Sequence, residues 1–185
     1  MRIITGSAKG LKLKTPKGFE TRPTSDRVKE SLFSILNGLL DFSEITVLDI
    51  FAGTGALGIE SLSRGAKFAT FIDFATAEII SENLQRAKFQ NAKILRGDFS
   101  KMLKKLSSQN LQFDLIFSDP PYKKNLAAAS INLVAEFNLI ADNGFMVVEV
   151  GADEIINSNN LNCIRKINYG HTTAINIFQK KGSEL

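Results

Sequence analysis

From residue 45 onward, short apolar runs alternate along the chain with stretches of helical spacing. The apolar runs cover 47–51, 68–72, 92–95, 113–117 and 145–150, and the helical stretches cover 57–64, 76–89, 99–106 and 126–140. Runs without polar alternation are typical of strands that are buried on both faces, as in parallel sheets. Strands that alternate with helices predict an α/β fold, in which a mostly parallel sheet carries helices on both faces.

The end of the chain departs from this alternation. Two further strand-like runs, 161–169 and 172–179, are separated only by Gly170 and His171. A parallel crossover needs a dozen or more residues, so these two strands can pair only as an antiparallel hairpin. The sequence therefore predicts a seven-stranded sheet, mostly parallel, that ends in an antiparallel C-terminal hairpin.

The amino-terminal part has a different pattern. Alternating runs at 2–5 and 11–14 surround Gly6 and Gly10 and predict a small β-hairpin. A helix capped by Thr24 or Ser25 follows a turn-rich stretch. We therefore divide the chain into a basic N-terminal hairpin extension, 1–24, and a main domain, 25–185.

Positive charge is concentrated in the first 30 residues. They hold eight basic residues against three acidic ones, a net charge of +5, whereas the remaining 155 residues carry −1. Clustered Lys and Arg favour binding to a phosphate backbone, because each contact releases counterions. A solvated basic face that aids solubility explains the charge equally well, and charge alone leaves both interpretations open.

Composition argues against several classes of protein. The 185 residues suit one compact domain, no apolar run approaches the roughly 20 residues of a membrane span, and the first residues lack the apolar region of a signal peptide. A single cysteine, Cys163, can form neither an internal disulfide nor a metal-ligand cluster. We therefore expect a cytoplasmic protein that binds no membrane and no metal.

A glycine-rich segment follows the first strand of the main domain. Residues 53–58 read Gly-Thr-Gly-Ala-Leu-Gly, and Asp73 lies 20 residues beyond Gly53, a pattern that by itself indicates a nicotinamide cofactor. Three features argue against that interpretation. They are the carboxylate of Asp49 at the end of the first strand, the lack of length for a substrate domain, and the sequence Asp119-Pro120-Pro121-Tyr122 directly after the fourth strand.

Two segments resemble motifs of Rossmann-like S-adenosylmethionine methyltransferases. They are the first motif, Asp49-Ile50-Phe51-Ala52-Gly53-Thr54-Gly55, and the amino-methylating motif, Asp119-Pro120-Pro121-Tyr122. With the block 22–33, which opens on Arg22-Pro23-Thr24, and the ending Tyr169-Gly170, the chain resembles the RsmD family of small-subunit ribosomal RNA guanine-N2 methyltransferases over residues 2–180. The amino-methylating motif alone also occurs in DNA adenine and cytosine methyltransferases and in a protein-glutamine family.

The resemblance implies a Rossmann-like methyltransferase fold that binds S-adenosylmethionine. Gly53 and Gly55 let the backbone approach the cofactor, and Asp49 accepts hydrogen bonds from its methionine amino group. Asp73 takes both ribose hydroxyls with its two oxygens. Many relatives carry Glu followed closely by Asp here, whereas Phe74-Ala75 follow Asp73, so its contact with the ribose is either direct or adjusted through water. Asp98 accepts from the adenine amino group or, alternatively, caps the helix 99–106. The aromatic residues assigned to the same pocket are Phe51, Phe74 and Phe99.

The amino-methylating motif is predicted to hold the acceptor base. The Asp119 carboxylate and the Pro120 carbonyl accept the two hydrogens of an amino group, Pro121 helps to fix the backbone, and Tyr122 stacks on a flipped-out ring. This arrangement aims the nitrogen at the methyl group without a dedicated general base. For Lys123 and Lys124, which follow, a solvated helix start is as good an interpretation as a phosphate contact. The predicted RNA-binding residues are Lys9, Lys12, Lys14, Arg22, Arg27, Lys123 and Lys124.

These expectations describe an enzyme that methylates N2 of a guanine in small-subunit ribosomal RNA. Only the resemblance supplies the base and the RNA. The alternatives are a DNA or other nucleic-acid amino-methyltransferase, and an RNA- or nucleotide-binding module without catalysis. The expected partner is ribosomal RNA, either naked or in an assembled particle, and the expected state is a monomer.

Overall fold

The computed structural model describes residues 1–16, 26–121, 125–156, 158 and 160–180. Five helices and seven strands follow one another within these residues. In chain order they are α1 Asp26–Asn37, β1 Thr46–Ile50, α2 Ala56–Ser63, β2 Phe68–Asp73, α3 Ala77–Ala87, β3 Ala92–Arg96, α4 Phe99–Ser107, β4 Phe113–Ser118, α5 Leu126–Glu136, β5 Ile140–Gly151, β6 Leu161–Tyr169 and β7 Thr173–Lys180.

The seven strands form one sheet in the order β3-β2-β1-β4-β5-β7-β6. Pairing is parallel from β3 to β5, whereas β7 runs antiparallel to both β5 and β6. This topology confirms the predicted Rossmann-like methyltransferase fold with its C-terminal hairpin. The strand order reverses between β1 and β4, and such a reversal opens a crevice at the carboxyl ends of the strands.

Helices cover both faces of the sheet. Strand β1 sends Val47 into a core that also contains side chains of α1, α2 and α3. Its neighbour Leu48 faces the other core, which α4 and α5 complete. The central strands are therefore apolar on both sides, as the uninterrupted apolar runs predict.

The predicted helix 126–140 is wrong at its end. Helix α5 stops at Glu136, Asn138 adopts a left-handed φ of 49°, and β5 begins at Ile140, which pairs with Phe113. Leu139 and Ile140 are buried and continue the apolar spacing of the helix, although Leu139 lies in the link and Ile140 begins the strand. Asparagine tolerates the left-handed conformation that ends a helix, so Asn138 carried the signal for the break.

Residues 1–13 fold back on themselves as predicted, but they form a single isolated bridge between Arg2 and Lys12 and no extended ladder. Ile3 and Leu13 are buried in the core beside α1 and α2. The turn contacts the end of α2 at Gly6, where φ is +87° and an added Cβ would lie 1.7 Å from the Ser63 carbonyl oxygen. Glycine is therefore required where this hairpin meets the domain.

No helix in the described part of the chain combines the length and the apolar character that a membrane span requires.

Candidate active site

A cleft of about 100 Å³ opens at the carboxyl ends of β1 and β4, where the strand order reverses. Its lining includes Asp49, Gly53 and Asp119, together with Met1 from the N-terminal hairpin and Lys29 from α1. The structure thus brings parts of the first motif and of the amino-methylating motif to one cleft. A larger cavity, of about 650 Å³ and lined by residues such as Asn37 and Arg64, contains none of the predicted cofactor or catalytic residues.

The loop between β1 and α2 adopts the conformation that its glycines allow. Gly53 and Gly55 have φ values of 57° and 77°, and the Gly55 amide donates to the Ala52 carbonyl at 2.7 Å. Phe51, which was predicted to end the strand, instead turns out of it with a φ of 60°. Such a conformation is unfavourable for a residue with a Cβ, so the surrounding contacts must hold it. One of them is the ring of Phe99, with ring centres 4.7 Å apart.

Asp49 lies at the centre of this arrangement with only 2% of its surface exposed. Its Oδ2 accepts a hydrogen bond of 2.9 Å from the amide of Gly58 in the first turn of α2. Burial raises the pKa of Asp49 to about 8, the Gly58 amide opposes the rise, and the charge of Asp73 adds to it. A Cβ at Gly58 would lie 2.3 Å from the Phe71 ring, so this close approach of helix and strand requires glycine.

Asp73 organises the glycine loop from the neighbouring strand. Its Oδ2 accepts from the Gly53 amide at 2.9 Å, and its Oδ1 accepts from the amides of Ala75 and Thr76 at 2.8 Å each. The Thr76 hydroxyl returns a hydrogen bond of 2.6 Å to the Gly53 carbonyl. A carboxylate has about four acceptor positions, and three of them are engaged here, so ribose contacts from both oxygens would compete with the loop.

The predicted adenine-binding residues separate into two groups. Asp98 is the N-cap of α4, since its Oδ1 accepts from the Lys101 amide at 3.1 Å and from the Ser100 hydroxyl. These bonds, first from Ser100 and then from Lys101, lower the pKa of Asp98. The role of Asp98 as a cap is therefore confirmed, and the hydrogen bonds described for it occupy Oδ1 only. Phe99 packs on Phe51, whereas Phe74 has 74% of its surface exposed.

Asp119 follows the end of β4 and is half-buried, and Pro120 is buried behind it. The hydroxyl of Ser118 lies 2.8 Å from that of Ser130 and fixes the strand end to α5. Burial raises the pKa of Asp119 to about 8, with further contributions from the charges of Glu149 and Asp49. Pro121 is exposed. Tyr122, Lys123 and Lys124 lie outside the described residues.

Glu149 is an acidic neighbour of the site that the sequence reasoning missed. Ser118 pairs with Val148 in the parallel ladder of β4 and β5, so Glu149 lies beside Asp119 at the strand ends. The signal was one carboxylate in the otherwise apolar run 145–150.

The predicted RNA-binding residues differ in their surroundings. Lys9, Lys12 and Arg27 are exposed. Lys14 is exposed too, but its ammonium forms an ion pair with Glu82 on α3, which reduces its value as a phosphate ligand. Arg22 lies outside the described residues.

Buried polar residues that the sequence reasoning did not single out attach the N-terminal hairpin. Glu60 on α2 accepts from the Ile4 and Thr5 amides at 2.8 and 3.1 Å. It also pairs with Lys29 at 3.1 Å and with Arg64 at 3.0 Å. Burial lowers the pKa of Lys29, and the charge of Glu60 opposes this change. The only signal in the sequence was a glutamate within an apolar helical stretch.

Comparison with known proteins places the chain in a family. The sequence pattern of the family described as "Conserved hypothetical protein 95" matches residues 1–178. The chain belongs to this family. A Haemophilus influenzae relative named ribosomal RNA small subunit methyltransferase D is 40% identical over 83% of this chain and 80% of its own length. The Bacillus subtilis protein YlbH is 37% identical over 98% of this chain and 100% of its own length.

A solved structure from Escherichia coli supports the same assignment. It superimposes with a TM-score of 0.85 at 32% identity and covers 99% of both chains. The resemblance to the RsmD family, which was first seen in the motifs, is thereby confirmed for nearly the whole chain.

Proposed function

We propose that this protein transfers the methyl group of S-adenosylmethionine to the exocyclic N2 of a guanine in small-subunit ribosomal RNA. The observation that carries the proposal is that Asp49 of the first motif and Asp119 of the amino-methylating motif line one cleft where the strand order reverses. Burial raises the pKa of both acids to about 8. A positively charged ligand would allow both to ionise, whereas the pyrophosphate of a nicotinamide dinucleotide would repel them. S-adenosylmethionine carries two positive groups, an ammonium and a sulfonium.

The residues present fit this cofactor. Asp49 lies at the floor of the cleft, where its carboxylate accepts hydrogen bonds from the methionine ammonium. The glycine loop allows the backbone to approach the cofactor closely. Asp73 holds that loop and contacts the ribose directly or through water. Phe51, Phe74, Asp98 and Phe99 are assigned to the adenosine end, where the packed pair Phe51 and Phe99 offers an apolar wall. When bound, the cofactor supplies an electrophilic methyl carbon.

The amino-methylating motif orients the acceptor. The Asp119 carboxylate and the Pro120 carbonyl accept the two hydrogens of the guanine amino group, and Tyr122 stacks on the base. Pro121 contributes no amide donor that would compete. The nitrogen loses its proton after it is alkylated, so the main contribution is positioning, for which effective molarities allow roughly 7–11 kcal/mol.

The substrate is inferred from the name of the Haemophilus influenzae relative and from the basic amino-terminal segment. Lys9, Lys12 and Arg27 present charge to solvent near the hairpin, and Arg22, Lys123 and Lys124 are assigned to the same phosphate-binding role. In this proposal the extension 1–24 docks RNA, free or in an assembled particle. The domain 25–185 carries out the transfer as a cytoplasmic monomer.

The test is transfer of a labelled methyl group to small ribosomal subunits, and to naked RNA, from cells that lack the protein. We expect incorporation that nuclease digestion and mass spectrometry identify as N2-methylguanosine, and loss of incorporation in Asp119→Ala. Label on DNA would instead indicate a DNA amino-methyltransferase. RNA binding without any transfer would indicate a module without catalysis.

A further inference from the structure

Several buried polar side chains hold the N-terminal hairpin, among them Glu60, Ser63 and Lys29. A further one, on α3, also bonds to the glycine loop between β1 and α2. Asn83 on α3 is fully buried. Its Oδ1 accepts from the Lys14 amide at 2.7 Å, and its Nδ2 donates to the Lys14 carbonyl at 3.1 Å. The same Nδ2 donates to the Thr54 carbonyl at 3.0 Å. Thr54 stands between Gly53 and Gly55.

These three bonds use the acceptor and both donor hydrogens of the amide side chain. Both main-chain groups of Lys14 are engaged, as they would be in a strand pair, and the remaining hydrogen fixes the loop. Neither the segment nor the loop can shift without breaking a buried hydrogen bond, and an unpaired buried polar group is costly. The position of the basic segment and the shape of the loop are therefore mutually dependent.

Glu60 provides a useful contrast. It holds the opposite strand of the hairpin, at Ile4 and Thr5, and its other partners are Lys29 and Arg64. None of these four residues belongs to the glycine loop. Ser63 likewise bonds to Thr5 and Ala8 of the hairpin. Among the hydrogen bonds described for these buried side chains, only those of Asn83 also reach the loop.

We propose that Asn83 is a positioning residue that couples RNA docking on the basic N-terminal segment to cofactor binding in the glycine loop. This inference rests on the proposed function. A ligand that binds the segment and stabilises this hydrogen-bonded arrangement also favours binding at the loop, and a ligand at the loop favours binding at the segment by the same factor. RNA bound at the segment should therefore tighten cofactor binding by about 5- to 20-fold, within the usual range for coupled sites.

The experiment measures the affinity for sinefungin, a cofactor analogue in which an amine replaces the sulfonium, by calorimetry with and without saturating ribosomal RNA. No methyl is transferred, so binding is read alone. The wild type should bind the analogue about 5- to 20-fold tighter in the presence of RNA. Asn83→Ala should reduce that ratio to near one.

A pair of variants at an exposed residue covers the case in which Asn83→Ala does not fold. Lys14→Pro removes the amide hydrogen that Asn83 accepts, whereas Lys14→Ala keeps the backbone bonds and removes the same charge. We expect the ratio to fall in Lys14→Pro and to persist in Lys14→Ala. Equal ratios in these two variants, a ratio near one in the wild type, or an unchanged ratio in a folded Asn83→Ala would each overturn the coupling. If the wild type fails to bind sinefungin, or fails to bind RNA, the proposed function itself is refuted.

Discussion

Two buried carboxylates in adjacent parts of the fold have opposite surroundings. Glu60 has no exposed surface and is matched by two cations and two backbone amides. Asp49 is 2% exposed, accepts one amide from Gly58, and faces a cleft with its pKa raised to about 8. The first arrangement is complete and serves the fold. Among the described residues no positive charge offsets that of Asp49, as the proposed binding of a cationic ligand requires.

The strongest test of this difference between Glu60 and Asp49 is to replace each acid by its amide. Glu60→Gln leaves Lys29 and Arg64 buried beside an uncharged amide, and we expect it to lower the free energy of unfolding by about 3–5 kcal/mol. Asp49→Asn keeps an acceptor for the Gly58 amide and removes an unfavourable charge. At pH 8 it should lower stability by less than about 1 kcal/mol or raise it. Urea denaturation followed by circular dichroism measures both, and comparable losses would contradict the distinction.

Ligand binding should show the reverse order. If Asp49 binds the methionine ammonium as proposed, Asp49→Asn removes its charged partner and should weaken binding of S-adenosylmethionine by about 1.5–3 kcal/mol. Adenosine lacks that ammonium and serves as the matched control, because its affinity should stay nearly unchanged in the same variant. Calorimetry with the two ligands separates the effects. Equal losses for both would place Asp49 away from the methionine end.

The sequence predicted most of the fold because its signals are local. Each strand is a short apolar run, and the two-residue link between 169 and 172 forces a hairpin. The error at the end of α5 arose because Leu139 and Ile140 match both a helical face and a strand. The local signal for the break was Asn138 alone, and the pairing of Ile140 with Phe113, 27 positions earlier, gives the residue to the strand.

The sequence predicted that residues of two motifs meet at one cleft, but it did not predict the hydrogen bonds within that cleft. Asp49, Gly53 and Asp119 do meet at one cleft, because the ends of β1 and β4 are neighbours. The use of Asp73 as a scaffold for the loop depends on main-chain amides that no residue pattern reveals. Glu60 and Asn83 bond to hairpin residues that lie 55 to 69 positions earlier in the sequence. Only the tertiary packing brings these residues together.

The pH dependence of stability sharpens the comparison further. Burial raises the pKa of Asp49 from 3.8 to about 8, so the folded state retains a proton that the unfolded chain releases at lower pH. Stability from this group is complete below pH 3.8 and is lost as the pH rises through about 8. Between pH 6 and 8 this group should cost the wild type roughly 1 kcal/mol of stability per pH unit, and at most about 1.4.

Asp49→Asn should have a shallower decline over this range, with the residual slope due to Asp119, whose pKa is also raised. Denaturation at several pH values without cofactor gives both slopes, and parallel slopes would refute the assignment. Addition of S-adenosylmethionine should flatten the slope of the wild type, because a bound cation favours the ionised carboxylates.

The smallest expected effect compares lysines on the surface. Lys12 and Lys14 lie two positions apart in the hairpin. Among the contacts described for these two lysines, only Lys14 is paired with a carboxylate, that of Glu82. If the hairpin docks on phosphates, Lys12→Ala should flatten the dependence of RNA affinity on salt by roughly 0.7–0.9 in the log–log slope, the value for one contact. Lys14→Ala should change it less, since the ammonium of Lys14 is already neutralised by Glu82.

Lys104→Ala on α4, a helix that packs on the opposite face of the sheet, is the control and should leave the slope unchanged. Filter binding across a salt series measures all three, and equal slopes for Lys12→Ala and Lys104→Ala would show that the charge of the hairpin serves solubility.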